Sequence, residues 1–309
     1  MTIKNKIKHL IDVQQLSKED IKLLFARADF FLKKPISKKY IGKKLINLFF
    51  ETSTRSRTSF EIAAKNLGLE VINMDISSLA LSKKGESEQD TILTLNAFKP
   101  DFITIRHKFG GVVEQLATYS EYASIINAGD GSHAHPTQAL LDSFTIYRAL
   151  KMKSLDDFKK INVTITGDII NSRVARSNIK LLSYLGAKIT LASIPTLLPK
   201  YWLGKNINIT SDINKAVKNS DIIMILRLQR ERMENSFVTS FSDYYKFCGI
   251  NLDILKKAKK SPIIMHPGPI NREVELSSDV ADNKKFSFIL EQVKNGIAVR
   301  QAIIEMLSK

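Results

Sequence analysis

The sequence predicts an α/β protein of two domains, each a parallel sheet flanked by helices, and three observations carry that prediction. Short apolar runs alternate with amphipathic helical stretches, the pattern of parallel sheets covered on both faces. The length of 309 residues suits roughly two domains at about 100 to 200 residues each. The residues with chemical potential collect in loops after the strands, where open α/β sheets hold their ligands.

Ser17, with Asp20 three residues on, opens a helix whose face carries Ile21, Leu24, Phe25, Ala28 and Leu32. Residues 45–50 read as a buried strand, and Phe60, Ala63, Ala64 and Leu67 share the face of a helix stopped by Gly68. Further strands are expected at 71–76, 102–106 and 124–127, mostly followed by a loop and a helical stretch. Pro136 suits the first turn of a helix carrying Leu140, Leu141, Phe144 and Tyr147 toward Leu150, long enough to bridge two domains. The alternation then restarts with a strand at 161–166, a helix from Arg173 to Leu185 stopped by Gly186, and strands at 188–192, 221–226 and 262–265. A last helix, 288–307, is expected to pack back on the first half. No repeat, low-complexity tract or Pro-rich or Gly/Ser-rich linker interrupts the chain.

Lys and Arg total 47 against 31 acidic residues, a formal charge of +16 that makes anions the first partners to consider. The lysines fall in pairs along the whole chain (Lys33-Lys34, Lys159-Lys160, Lys284-Lys285) and form no basic tail, which disfavours a nucleic-acid-binding module. The single cysteine, Cys248, excludes an internal disulfide or a thiolate metal cluster and suits a reducing compartment. No window approaches the roughly 20 apolar residues of a membrane span. Residues 1–6 lack the apolar stretch of a secretory signal, so a cytoplasmic protein without membrane partners is expected.

In the first half, four segments carry candidate chemistry. Residues 49–60 turn a strand into a helix through Ser53, Thr54, Arg55 and Ser56, which together with helix N–H groups can cradle a phosphate. The alternative is a hydroxyl-capped helix with solvated arginines. Residues 82–88, with Lys84 before Gly85, read on their own as an ordinary polar surface loop. Arg106 places a cation at a strand's carboxyl end, as a ligand group or a salt-bridge partner. In residues 129–138, His135 can donate to a developing oxyanion and Gln138 can accept from an amide. A metal on His133 and His135 is disfavoured, because an i, i+2 pair in a turn offers no third ligand.

In the second half, Gly167-Asp168-Ile169-Ile170-Asn171-Ser172-Arg173 follows a strand but lacks the G-x-G-x-x-G spacing, which disfavours a nicotinamide dehydrogenase. The strings Arg227-Leu228-Gln229 and His266-Pro267-Gly268-Pro269 also follow strands, and each alone could be a charged helix start or a turn.

In this order, the Ser53-Thr54-Arg55, Lys84-Gly85-Glu86, Arg106-His107, His135-Pro136-Thr137-Gln138, Arg227-Leu228-Gln229 and His266-Pro269 strings resemble those of the aspartate carbamoyltransferase catalytic chains. These belong to the aspartate/ornithine carbamoyltransferase superfamily. The resemblance runs from Phe49 to Arg272 and continues at Asn295-Gly296 and Arg300. It implies that family's fold, with a carbamoyl phosphate domain of residues 1–135 joined by helix 288–309, an aspartate domain of residues 151–287, and an interdomain helix, 136–150. Ser53, Thr54, Arg55 and Ser56 are then expected to hold the phosphate, Arg106 and His135 to polarise the carbonyl oxygen, and Gln138 to hold the amide. Arg173 and Arg227, helped by Gln229, are expected to hold the two carboxylates of aspartate. Lys84 would arrive from a neighbouring subunit of a homotrimer, and backbone at Pro267, Gly268 and Pro269 would meet carbamoyl phosphate and orient the attacking amine.

The resemblance further implies no metal or organic cofactor, an early place in pyrimidine synthesis, and, in some members, a regulatory chain. Ornithine is the alternative acceptor. Its side-chain ammonium would call for an acid where Lys84, Arg173 and Arg227 stand. Two positions depart from the family: Ser56 replaces the usual Thr and keeps its hydroxyl, and Ala80 replaces a Ser, leaving Ser78 or Ser82 to supply that phosphate contact.

Overall fold

A computed structural model describes residues 7–75, 87–202, 204, 206–229 and 240–308. The chain divides into two compact units, Met1–Phe144 with Lys294–Lys309, and Thr145–Val293. Both units are α/β.

The first unit is built on four parallel strands, β1 (Lys44–Phe49), β2 (Glu70–Asp75), β3 (Phe102–His107) and β4 (Ser124–Asp130). Their order is β2-β1-β3-β4. Ile46, Leu48, Ile103, Ile105 and Ile125 from the strands bury against Ile92, Leu95, Val113 and Leu116 from the helices Glu88–Ala97 and Val112–Thr118. Each such side chain contributes roughly 1.5–3 kcal/mol by leaving water. The C-terminal helix Ile289–Leu307 reaches this unit: Arg27 pairs with Glu305 at 2.5 Å, Gln301 Nε2 donates to the Pro35 carbonyl at 2.7 Å, and Ser124 Oγ donates to the Leu307 carbonyl at 3.4 Å.

The second unit holds five parallel strands, β5 (Asn162–Thr166), β6 (Lys188–Ala192), β7 (Ile207–Thr210), β8 (Ile222–Ile225) and β9 (Ile263–Met265), in the order β7-β6-β5-β8-β9. Ile223, Ile225 and Ile264 meet Ile213, Val217, Leu276 and Val280 in its core. In each sheet the strand order reverses once, between β1 and β3 and between β5 and β8. At such a point the loops leave the carboxyl ends on diverging paths and open a crevice for a ligand.

Most expected elements stand within a residue or two, with three differences. In the helix Lys18–Lys33 the buried face ends on Phe31, 1% exposed, rather than Leu32, since Phe31 continues the Ile21, Leu24, Ala28 spacing with a larger apolar area. Strand β4 runs on to Asp130, whose buried carboxylate is fully engaged in the following turn. Strand β7 had no sequence signal: it is a short edge strand, partly exposed along its length, with no apolar run. Among the described residues, no helix is long and apolar enough to cross a membrane.

Candidate active site

Each unit gathers its chemistry at its own reversal point. In the first, the loop after β1 enters the helix Thr54–Leu67, with Ser53 as the residue before its first turn. The Ser53 hydroxyl makes no cap bond to this helix. The helix ladder begins only with Arg57 N donating to the Ser53 carbonyl at 3.3 Å, so the N–H groups of residues 54–56 lie ahead of it at the positive end of the helix dipole. Ser56 is buried and Arg55 is exposed on the first turn.

Arg106 ends β3 beside this cradle. Its Nη1 lies 3.5 Å from Ser56 Oγ and 3.4 Å from the Ala128 carbonyl, and its Nε lies 2.7 Å from Glu51. One guanidinium therefore joins the loop after β1 to strand β4, and its planar fork suits an oxyanion. The next residue, His107, is buried and pairs with Glu88 at 2.9 Å.

The turn after β4 is organised by Asp130. Its fully buried carboxylate accepts from Gly111 N at 2.8 Å, Ala134 N at 3.1 Å and Asn127 Nδ2 at 3.0 Å, and faces His133 Nδ1 at 3.1 Å. Gly131 has φ +48°, and a Cβ there would lie 2.4 Å from Gly110 N, so the turn needs glycine. The turn delivers His135 and Gln138, both buried, to the start of the helix Pro136–Ala149. The Thr137 hydroxyl lies 3.4 Å from His135 Nδ1; if it donates there, Nε2 carries the proton, the form that polarises a carbonyl oxygen.

In the second unit, Gly167 turns the chain after β5 with φ +111°, where a Cβ would meet the Leu226 carbonyl at 2.2 Å. Buried Asp168 then accepts from Asn171 Nδ2 at 3.0 Å and from Gln229 N at 3.3 Å, while Gln229 Nε2 donates to the Asn171 carbonyl at 3.3 Å. This ties the loop bearing Arg173 to the loop bearing Arg227 and Gln229. Arg173 is buried at the first position of the helix Arg173–Leu185, and Arg227 is half-buried just after β8.

The loop after β9 is held by His266. Its N donates to Gln292 Oε1 at 2.8 Å, its Nδ1 accepts from Gly268 N at 2.8 Å, and its Nε2 faces Glu275 at 3.3 Å. Nδ1 as acceptor fixes the proton on Nε2. Asn271 links this loop to the Leu228 carbonyl at 3.5 Å, which puts Pro267, Gly268 and Pro269 on the same edge as Arg227.

In the first unit Arg106 reaches the loop of Ser53, Thr54, Arg55 and Ser56 through Ser56, while His135 and Gln138 stand at the start of the helix after β4; in the second, Asp168 ties the loop before Arg173 to Gln229, and Asn271 ties the Pro267–Pro269 loop to Leu228. Lys84, Ser78, Ala80 and Ser82 lie outside the described residues. Asp130, Asp168 and Glu275, which shape all these loops, received no role from sequence reasoning.

Each unit is thus a parallel α/β sheet with cationic loop residues at its reversal point, the class of fold that binds small ligands at the carboxyl ends of its strands. Residues 8–148 match the model of the aspartate/ornithine carbamoyltransferase carbamoyl-P binding domain, and residues 159–307 match that of the Asp/Orn binding domain. The chain belongs to the aspartate/ornithine carbamoyltransferase family. It is similar to the aspartate carbamoyltransferase catalytic subunit of Methylorubrum extorquens strain PA1, with 46% identity over 306 residues, covering 97% of this chain and 95% of the relative. The Agrobacterium fabrum catalytic subunit is 45% identical over 305 residues, with coverage of 97% and 95%. Among solved structures, Trypanosoma cruzi aspartate transcarbamoylase with carbamoyl aspartate and phosphate is similar at TM-score 0.85 and 28% identity, covering 100% of this chain and 98% of that one. The same enzyme with N-(phosphonacetyl)-L-aspartic acid is similar at TM-score 0.82 and 28% identity, with coverage of 98% and 96%.

Proposed function

We propose that this chain transfers the carbamoyl group of carbamoyl phosphate to the α-amine of L-aspartate, giving N-carbamoyl-L-aspartate and phosphate. The observation that carries the reading is the pair of switch-point loops, one built for a phosphate and one presenting Arg173 and Arg227 for carboxylates.

Ser53, Thr54, Arg55 and Ser56 hold the phosphate, and Arg106 and His135 draw negative charge onto the carbonyl oxygen as the tetrahedral intermediate forms. Gln138 accepts from the carbamoyl amide. Arg173, Arg227 and Gln229 hold aspartate by its carboxylates, and backbone at Pro267, Gly268 and Pro269 directs the uncharged amine. The amine's lone pair forms the new C–N bond, the C–O bond to phosphate breaks, and the departing phosphate accepts the amine proton. Alignment of the reactants supplies roughly 7–11 kcal/mol, more than any single donor at about 2.7–4 kcal/mol.

The same reading has the enzyme act in the cytoplasm as a homotrimer early in pyrimidine synthesis, with Lys84 reaching a neighbouring subunit's site and a regulatory chain as a partner to seek by co-purification. Calorimetric titration with N-(phosphonacetyl)-L-aspartate tests the substrate pair. Tight binding that is lost in both Arg55→Ala and Arg227→Ala is expected. Binding unaffected by either substitution would overturn the assignment.

A further inference from the structure

Gln138 can serve an amide ligand only if its own amide faces the right way. A glutamine side chain offers an oxygen that accepts and a nitrogen that donates, and the two ends are nearly the same shape. In the first unit Gln138 Nε2 donates to Asp142 Oδ1 at 2.9 Å, one helical turn further along the helix Pro136–Ala149. Asp142 is fully buried, and a carboxylate can only accept. The nitrogen end of Gln138 is thereby committed inward, and Oε1 remains as the end that meets a ligand.

The charge of Asp142 acts on Arg300, a second buried side chain of the same unit. Arg300 comes from the C-terminal helix and is 4% exposed, and its Nη1 donates to Ser59 Oγ at 3.0 Å and to the Gly296 carbonyl at 3.1 Å. The guanidinium lies over the Phe60 ring at 5.0 Å. A Cβ at Gly296 would meet Arg300 Nη1 at 2.7 Å, so the glycine makes room for the cation. Burial pulls the Arg300 pKa down to about 10 while the Asp142 charge raises it, which leaves the side chain charged at neutral pH. Ser59 and Phe60 belong to the helix Thr54–Leu67, whose first turn forms the phosphate cradle. Asp142 is fully buried, and its contact with Gln138 Nε2 gives the carboxylate a role in orientation.

We propose that Asp142, supported by Arg300, is a positioning residue that locks Gln138 with its oxygen outward, so that the site selects a carbamoyl phosphate over an acyl phosphate. The NH2 of a carbamoyl group donates to Oε1, whereas the methyl of acetyl phosphate cannot. The inference rests on the carbamoyl phosphate reading above. With asparagine at 142 the neighbour can donate as well as accept, and Gln138 is free to flip.

Calorimetry on the full chain with carbamoyl phosphate, acetyl phosphate and inorganic phosphate tests this. Asp142→Asn is expected to reduce the preference for carbamoyl over acetyl phosphate by about tenfold, the scale of one hydrogen bond, with inorganic phosphate unchanged. The double variant Asp142→Asn/Arg300→Gln removes the buried cation as well and carries the same expectation if the single variant folds poorly. An unchanged preference in these variants, or equal weakening of all three anions, overturns the proposal. Failure of both to fold also overturns it and assigns the pair to stability. Gln138→Ala separates the two levels: loss of preference there but not in Asp142→Asn rejects the positioning role alone. No preference in the unsubstituted protein rejects the reading beneath it.

Discussion

Arg106 shows how one side chain ties a loop set together: it lies within reach of Glu51 and Ser56 in the loop after β1 and of the Ala128 carbonyl in β4. Arg106→Ala is expected to lower kcat by about 10²–10³, the cost of an oxyanion donor, and Arg106→Lys to restore little because a point charge cannot replace the fork. Steady-state kinetics of the three proteins checks this. Cys248 is 2% exposed, and burial pushes its thiol up to about 11. At pH 8 a thiol reagent is therefore expected to modify the native protein only as fast as it unfolds, and rapid stoichiometric reaction would contradict the burial. At this scale the candidate site residues were legible because they cluster in short strings. The organising carboxylates were not: Asp168 acquires its role from Gln229, 61 residues away, and Glu275 from His266 across a separate turn. A single acid in a sequence shows no such partner.

Among elements, the turns after the strands carry the geometric demands. Gly167→Ala would force a Cβ against the Leu226 carbonyl at a left-handed φ of +111°. A loss on the order of 1–3 kcal/mol is expected in denaturant unfolding, with weakened aspartate use because the turn leads to Arg173. A second prediction concerns the 3-10 turn Leu155–Lys160. Lys160, then the backbone N–H groups of Lys153 and Ser154, hold the Asp157 carboxyl down at about 2. A depressed carboxylate stabilises the fold above its unfolded value of 3.8 and loses that effect as pH falls toward 2. Asp157→Asn is thus expected to be less stable than the parent at neutral pH, with the gap closing between about pH 4 and pH 2 in melts across that range. The interior strand β8 was readable as a continuous apolar run, and β5 as Val163 and Ile165 alternating with threonines. Strand β7 was not, since it pairs only with β6 and keeps exposed positions.

Over the whole molecule, two sheets with the same reversal of strand order each carry one set of cationic loop residues at the reversal point. The alternation of strands and helices made this architecture legible from the sequence; the strand order that creates each crevice emerged only from the pairing. The +16 charge accords with a protein whose ligands are anions, and its scattered lysines give no basis for a nucleic-acid footprint. The central claim is tested most directly by product analysis with carbamoyl phosphate and either L-aspartate or L-ornithine at saturation. The account predicts N-carbamoyl-L-aspartate formed in step with phosphate release, little product from ornithine, and loss of aspartate use in Arg227→Ala. Folded protein that carbamoylates ornithine in preference to aspartate, or neither amino acid, would contradict it.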